Sequence, residues 1–170
     1  MNEYFITCPR GLEEVTSNDI NQYLKTESIQ DKGGVLFNAS LKEMYQINLY
    51  SRTGMFVLKK LFSFNAANNT ELYNSTFNLK WDKIIGSKKT FSLKSKVNSD
   101  VFKNSNFTTL KIKDAIVDSI KDQLGERPSI DRYDPDIKIF IFIKGTKVKL
   151  YLDTTGKPLF MRGYRTKIHK

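Results

Sequence analysis

"IKIFIFIKGTKVKLYLD", residues 137–153, holds the alternation from which the fold is read. Side chains along a strand point to opposite faces in turn. Ile137, Ile139, Ile141 and Ile143 therefore share one face, and Phe140 and Phe142 share the other. Both faces are apolar, which predicts a central strand. Gly145-Thr146 follows, and Gly in the first of two turn positions suits a type II′ hairpin. The return strand puts Val148, Leu150 and Leu152 inward and Lys147, Lys149 and Tyr151 outward, predicting a more exposed strand.

Upstream of the hairpin, helical and strand patterns alternate. Residues 3–9, "EYFITCP", read as a strand stopped by Pro9. Residues 10–24 read as a helix carrying Leu12, Val15, Ile20, Tyr23 and Leu24, with Glu13 and Glu14 at its positive end. A Gly-led strand over 32–39 precedes a second helix over 40–52. There Ser40 and Glu43 make a capping box, and Leu41, Met44, Tyr45 and Leu49 make the apolar stripe. A strand over 54–66 leads into a helix within 68–79, capped by Asn69 or Thr70. Residues 90–98 alternate as a strand with Lys94 and Lys96 on one face. The longest helix, 105–125, ends at Gly125, a C-terminal cap. Residues 126–136 carry two prolines and read as a loop. The pattern predicts an α+β fold with two small layered sheets. No Pro/Gly linker separates the halves, so two domains would share a boundary.

The 170 residues carry a net charge of +10. It is unevenly placed: residues 1–50 hold four Lys/Arg against seven Asp/Glu, and residues 51–170 hold 24 against 11. Basic charge confined to one section points to a polyanion-binding surface. The bland alternative is a solvated surface in a Lys- and Asn-rich composition. No apolar run approaches the ~20 residues that span a bilayer, and the N-terminus lacks a cationic leader, so no membrane is expected. The single Cys8 excludes an internal disulfide and a cysteine metal site, and it fits a cytoplasmic setting.

Catalytic signatures are missing. Neither G-x-x-x-x-G-K-[ST] nor G-x-G-x-x-G occurs, and the lone His169 lies in the basic tail. Asp131, Asp134 and Asp136 share a loop, but they read as turn formers and partners of Arg127 and Arg132 rather than as a cation site. On the long helix, Ile116, Val117, Ile120 and Leu124 form the apolar stripe, and Asp114, Asp118 and Lys121 face solvent. Lys113 falls inside that stripe and must snorkel out or meet an acid. Asn104, Ser105 and Lys111 are placed to meet phosphates at the helix start. The lysines at 94, 96, 147 and 149 read equally as solvated strand faces.

Several strings together resemble a known family. "TCPRGLEE" (7–14), "GGVLF" (33–37), "NSNFTTLKIKDAIVDSI" (104–120), "RPSIDRYDPDIKI" (127–139) and "LYLDTTGKPLFMRGYR" (150–165) occur in order over nearly the whole chain. They resemble the N-terminal part of bacterial THUMP-domain RNA methyltransferases. The nearest group methylates guanine N2 of large-subunit ribosomal RNA and is often labelled N6-adenine-specific DNA methylase. Phe160-Met161 departs from the family pattern, where His and a basic or apolar residue are commoner. The resemblance implies a ferredoxin-like N-terminal subdomain over 1–60, interleaved with and packed against a THUMP α/β domain over 43–155 that ends in a β-hairpin. Residues 156–170 would then connect to a methyltransferase domain using S-adenosylmethionine, whose motifs are not in this sequence. It implies no catalytic residue, cofactor or metal here, and structured ribosomal RNA as partner. Candidate RNA contacts are Asn104, Ser105, Lys111, Lys113, Arg127, Arg132, Arg162 and Arg165. A transfer-RNA-modifying THUMP enzyme and a protein-interaction module are the alternatives.

Overall fold

The computed structural model describes residues 1–163. The chain is α+β and divides into two compact units: Met1–Lys60 with the segment from Asp153 onward, and Leu61–Leu152.

In the first unit, β1 (Asn2–Thr7) pairs antiparallel with β3 (Gly34–Ala39) and with the first half of β4 (Phe56–Asn65). A short β2 (Ile29–Asp31), not foreseen from the pattern, extends the order to β2-β3-β1-β4. Its three residues are all exposed, so no alternation marks it. Helices α1 (Glu13–Asn21) and α2 (Leu41–Tyr50) supply Ile20, Met44 and Ile47 to a core with Tyr4, Ile6, Val35, Phe37 and Val57. Tyr4 stacks on Phe37 at 5.5 Å. Gly34 is required by space: a Cβ there would lie 2.3 Å from the Ile6 carbonyl oxygen.

The capping box at Ser40 and Glu43 forms as expected. The α2 stripe needs correction. Met44 and Ile47 face the core, whereas Leu41, Tyr45 and Leu49 are exposed. Composition left two apolar ridges on this helix, and strand packing selected the one through Ile47 and the buried Ser51. Asp19 holds the end of α2, accepting from the Ser51 hydroxyl at 2.8 Å and the Arg52 amide at 2.9 Å.

In the second unit the strand order is β4-β7-β6-β5. The hairpin is β6 (Ile137–Lys144) and β7 (Lys147–Asp153), with Lys144 opposite Lys147. Gly145 has φ 60° and, among the described residues, no non-glycine residue has positive φ, so the two-residue turn is type II′. β5 (Phe91–Asn98) runs parallel to β6, which requires a crossover; α4 (Ser105–Leu124) provides it. α3 (Asn69–Phe77) packs on α4. Its cap is Asn68, one residue before the expected pair, whose side chain accepts from the Glu71 amide at 2.9 Å. The four isoleucines of β6 join Val148, Leu150, Ile112, Ile116 and Ile120 in one core. Trp81 is fully buried there, its indole donating to the Thr76 carbonyl at 2.8 Å.

Two further expectations change. β7, read as more exposed with Tyr151 outward, lies between β4 and β6, so Tyr151 is buried, meeting Phe142 edge-on at 5.6 Å. Leu124 is half exposed, because the stripe of α4 ends one turn earlier, at Ile120. Gly125, with φ 74°, caps the helix as the sequence implied.

Candidate nucleic-acid interface

The start of α4 is built by Asn104. Its Oδ1 accepts from the Phe107 amide at 3.0 Å, and its carbonyl accepts from the Thr108 amide and hydroxyl. Asn104 and Ser105 are exposed, but the Asn104 side-chain oxygen is committed to the cap. No acidic residue lies in the first turn, so the positive end of the helix is uncompensated there.

Two turns along, the Lys111 ammonium sits over two rings, Phe107 at 5.8 Å and Tyr73 of α3 at 6.0 Å. The Tyr73 hydroxyl donates to Asp118 Oδ2 at 2.8 Å. That bond raises the Tyr73 pKa, with desolvation adding to it. The other Asp118 oxygen faces Arg127 Nη2 at 3.7 Å. Lys111 and Arg127, sixteen residues apart, are thus brought to one side of the second unit through Tyr73 and Asp118. Arg127 was expected to pair with the loop carboxylates; it meets Asp118 instead. Lys113 meets an acid, Asp114, at 2.7 Å. Two positions beyond Lys111, it points about 200° away round the helix and does not join this group.

Arg132 is exposed on the loop after α4, which is pinned at both ends. The Phe91 amide donates to the Ser129 carbonyl at 3.1 Å, and the Asp131 amide returns to the Phe91 carbonyl at 3.2 Å. Asp131 Oδ1 accepts from the amides of Tyr133 and Asp134, as a turn former does. Asp136 accepts from the Thr90 amide and hydroxyl, which hold its carboxyl below the usual range. Among the described residues no group of three His, Cys, Asp or Glu side chains gathers to hold a metal ion.

Arg162 lies in the first unit. Its Nε donates to the Leu159 carbonyl at 2.8 Å, its Nη2 to the carbonyls of Asn48 and Ser51, and its Nη1 to that of Leu49. The guanidinium therefore caps the C-terminal end of α2. Arg165 lies outside the described residues.

Sequence reasoning missed the aromatic partners. Tyr73 and Phe107 flank Lys111, and Tyr133 stands 98% exposed beside Arg132. The Phe107–Lys111 spacing of i, i+4 was a readable signal; the Tyr73 contact, from another helix, was not.

A shallow depression of about 570 Å³ lies elsewhere, lined by Leu41, Lys42, Tyr45, Gln46, Leu49 and Tyr50. Its lining is mostly apolar, with Lys42 and Gln46 as the polar side chains. Among the described residues no helix is long and apolar enough to cross a membrane.

These features coincide with known families. The THUMP domain model matches residues 66–153, and the RlmL ferredoxin-like domain model matches residues 3–58. The chain is 36% identical over 98% of its length to the ribosomal RNA large subunit methyltransferase K/L of Psychromonas ingrahamii, covering 22% of that protein. It is 31% identical over 97% of its length to the like-named protein of Acinetobacter baylyi, covering 23% of it. The chain thus spans less than a quarter of these relatives. A possible methylase from Clostridium difficile 630 has the same fold, with a TM-score of 0.84 and 26% identity over 98% of this chain and 44% of that one.

Proposed function

Since the chain belongs to the THUMP domain family, we propose that it is the RNA-capturing portion of an S-adenosylmethionine-dependent ribosomal RNA guanine-N2 methyltransferase. In this reading residues 43–155 grip the RNA and residues 156–170 lead to the catalytic domain, which supplies the methyl-donor site. The carrying observation is that Lys111 and Arg127 share one side of the second unit, inside the matched segment. That segment holds 16 Lys/Arg against 11 Asp/Glu.

Such a surface suits folded RNA. An A-form duplex hides its base edges in a deep, narrow major groove, so it is held through backbone charge and shape. Lys111, Arg127 and Arg132 supply the charge. Tyr133 and Phe107 are aromatic surfaces on which an unpaired base stacks. A catalytic domain tethered a few residues away then works at high local concentration at its target base.

The test is titration of the 170-residue chain with large-subunit ribosomal RNA fragments at about 50 and about 200 mM salt. Each phosphate neutralised should contribute roughly 0.7–0.9 to the fall of log affinity with log salt. Changing Lys111, Arg127 and Arg132 together to Gln should lower that slope by roughly 2–3. Absent or salt-independent binding, or a slope untouched by the triple change, overturns the RNA reading. Sequencing past the codon for Lys170 tests the catalytic half.

A further inference from the structure

α2 is covered on one side only. Met44 and Ile47 are buried, whereas Leu41, Tyr45 and Leu49 stand 58, 62 and 60% exposed. Those three recur at i, i+4 and i+8 and so form one ridge turned away from the core. Tyr50, stacked on Tyr23 at 5.8 Å and half exposed, widens the patch. A helix face that meets only water carries charged and polar residues. Here Lys42 is the one charged side chain, among the described residues, lining the depression. A polyanion finds little charge on this face, whereas a contiguous patch of large apolar side chains marks a protein contact.

The occupant follows from where the chain leads. Arg162 ties the exit segment to the carbonyls of Asn48, Leu49 and Ser51, within one arginine side chain of the last turn of α2. Phe160 and Met161, immediately before it, are 62 and 61% exposed. Gly163, the last described residue, directly follows this clamp at the end of α2. The relatives and the solved neighbour keep more than half of their length outside the part this chain matches.

We propose that the exposed face of α2, through Leu41, Tyr45 and Leu49, seats the folded domain that follows residue 170 and fixes its position against the first unit. This rests on the reading above that a catalytic domain follows. The contact would hold that domain at a set place on the first unit, beside the end of α2.

Leu49→Cys, combined with Cys8→Ser, places a single thiol on the ridge. Its maleimide labelling rate is compared in the 170-residue chain and in the longer protein carrying the following domain. Labelling slower by roughly tenfold or more in the longer protein is expected, as burial in a stable contact implies. Equal rates, with the following domain present and folded, overturn this inference alone. Protection that appears in the 170-residue chain as its concentration rises, together with dimers in sedimentation, assigns the face to a second copy and also overturns it. A coding sequence with no domain after Lys170 overturns both this inference and the functional reading.

Discussion

Arg162 donates from Nη2 to the carbonyl of Ser51 at 2.8 Å, across 111 residues of sequence. The same guanidinium reaches the carbonyls of Asn48 and Leu49, so three acceptors at the end of α2 share one planar cation. Helix C-terminal carbonyls lack intrahelical donors and carry partial negative charge, so a cation there both bonds and compensates. Arg162→Ala should lower stability by about 1–3 kcal/mol, the scale of hydrogen bonds to charged groups. Arg162→Lys should recover less than half, because one ammonium does not reproduce the fork. Urea midpoints of the three proteins check this; full rescue by Lys would show that charge alone matters.

Glu43 makes stability depend on acid. Ser40 gives its hydroxyl to Glu43 Oε2 at 2.6 Å and its amide to the same oxygen at 2.7 Å. The hydroxyl first, and then the amide, hold the carboxyl below its usual range. The stabilisation is complete above the unfolded value of about 4.3 and is lost as pH falls through the lower folded value. Glu43→Gln should therefore flatten the stability profile between about pH 4.3 and lower pH, leaving its slope near neutrality unchanged. Ser40→Ala should cost about 1 kcal/mol at neutral pH through the lost cap.

Gly34 is limited by space, not by backbone angle. A Cβ there would lie 2.3 Å from the Ile6 carbonyl oxygen and 2.4 Å from the Phe5 ring. The carbonyl belongs to β1, which is held in register by β3 and β4, and cannot withdraw cheaply. Gly34→Ala should destabilise by about 1–3 kcal/mol. Gly145→Ala should be costly for a different reason, its positive φ in an open turn. Thermal unfolding of the Gly34 variant, with loss of protection along β1, is the check.

Asp118 tempers the candidate interface. It accepts from Tyr73 and faces Arg127, so one negative charge sits among the cations proposed to meet RNA. Asp118→Asn keeps an acceptor for Tyr73 and removes the charge. RNA affinity should rise by a few fold at low salt, the scale of a single exposed charge, and the gain should shrink as salt is raised. The Tyr73 pKa should also fall towards an ordinary phenol, seen by ultraviolet titration. A gain in affinity that persists at high salt would contradict an electrostatic origin.

What the sequence determined by itself is local. The Ser40–Glu43 box, the Gly125 cap, the type II′ turn at Gly145 and the four isoleucines of β6 are interactions within a few residues, and each is read from spacing alone. Tertiary structure decided which apolar side chains are covered and which polar groups find partners. Tyr151 is buried because β4 lies on the far side of β7, and Leu41 is exposed because Met44 and Ile47 took the core side of α2. Lys111 meets Tyr73, and Arg162 meets Ser51, only through chain segments distant in sequence. Periodicity names the faces of an element; it cannot say which face the rest of the chain will cover, because that depends on strand order and packing fixed by long-range pairing.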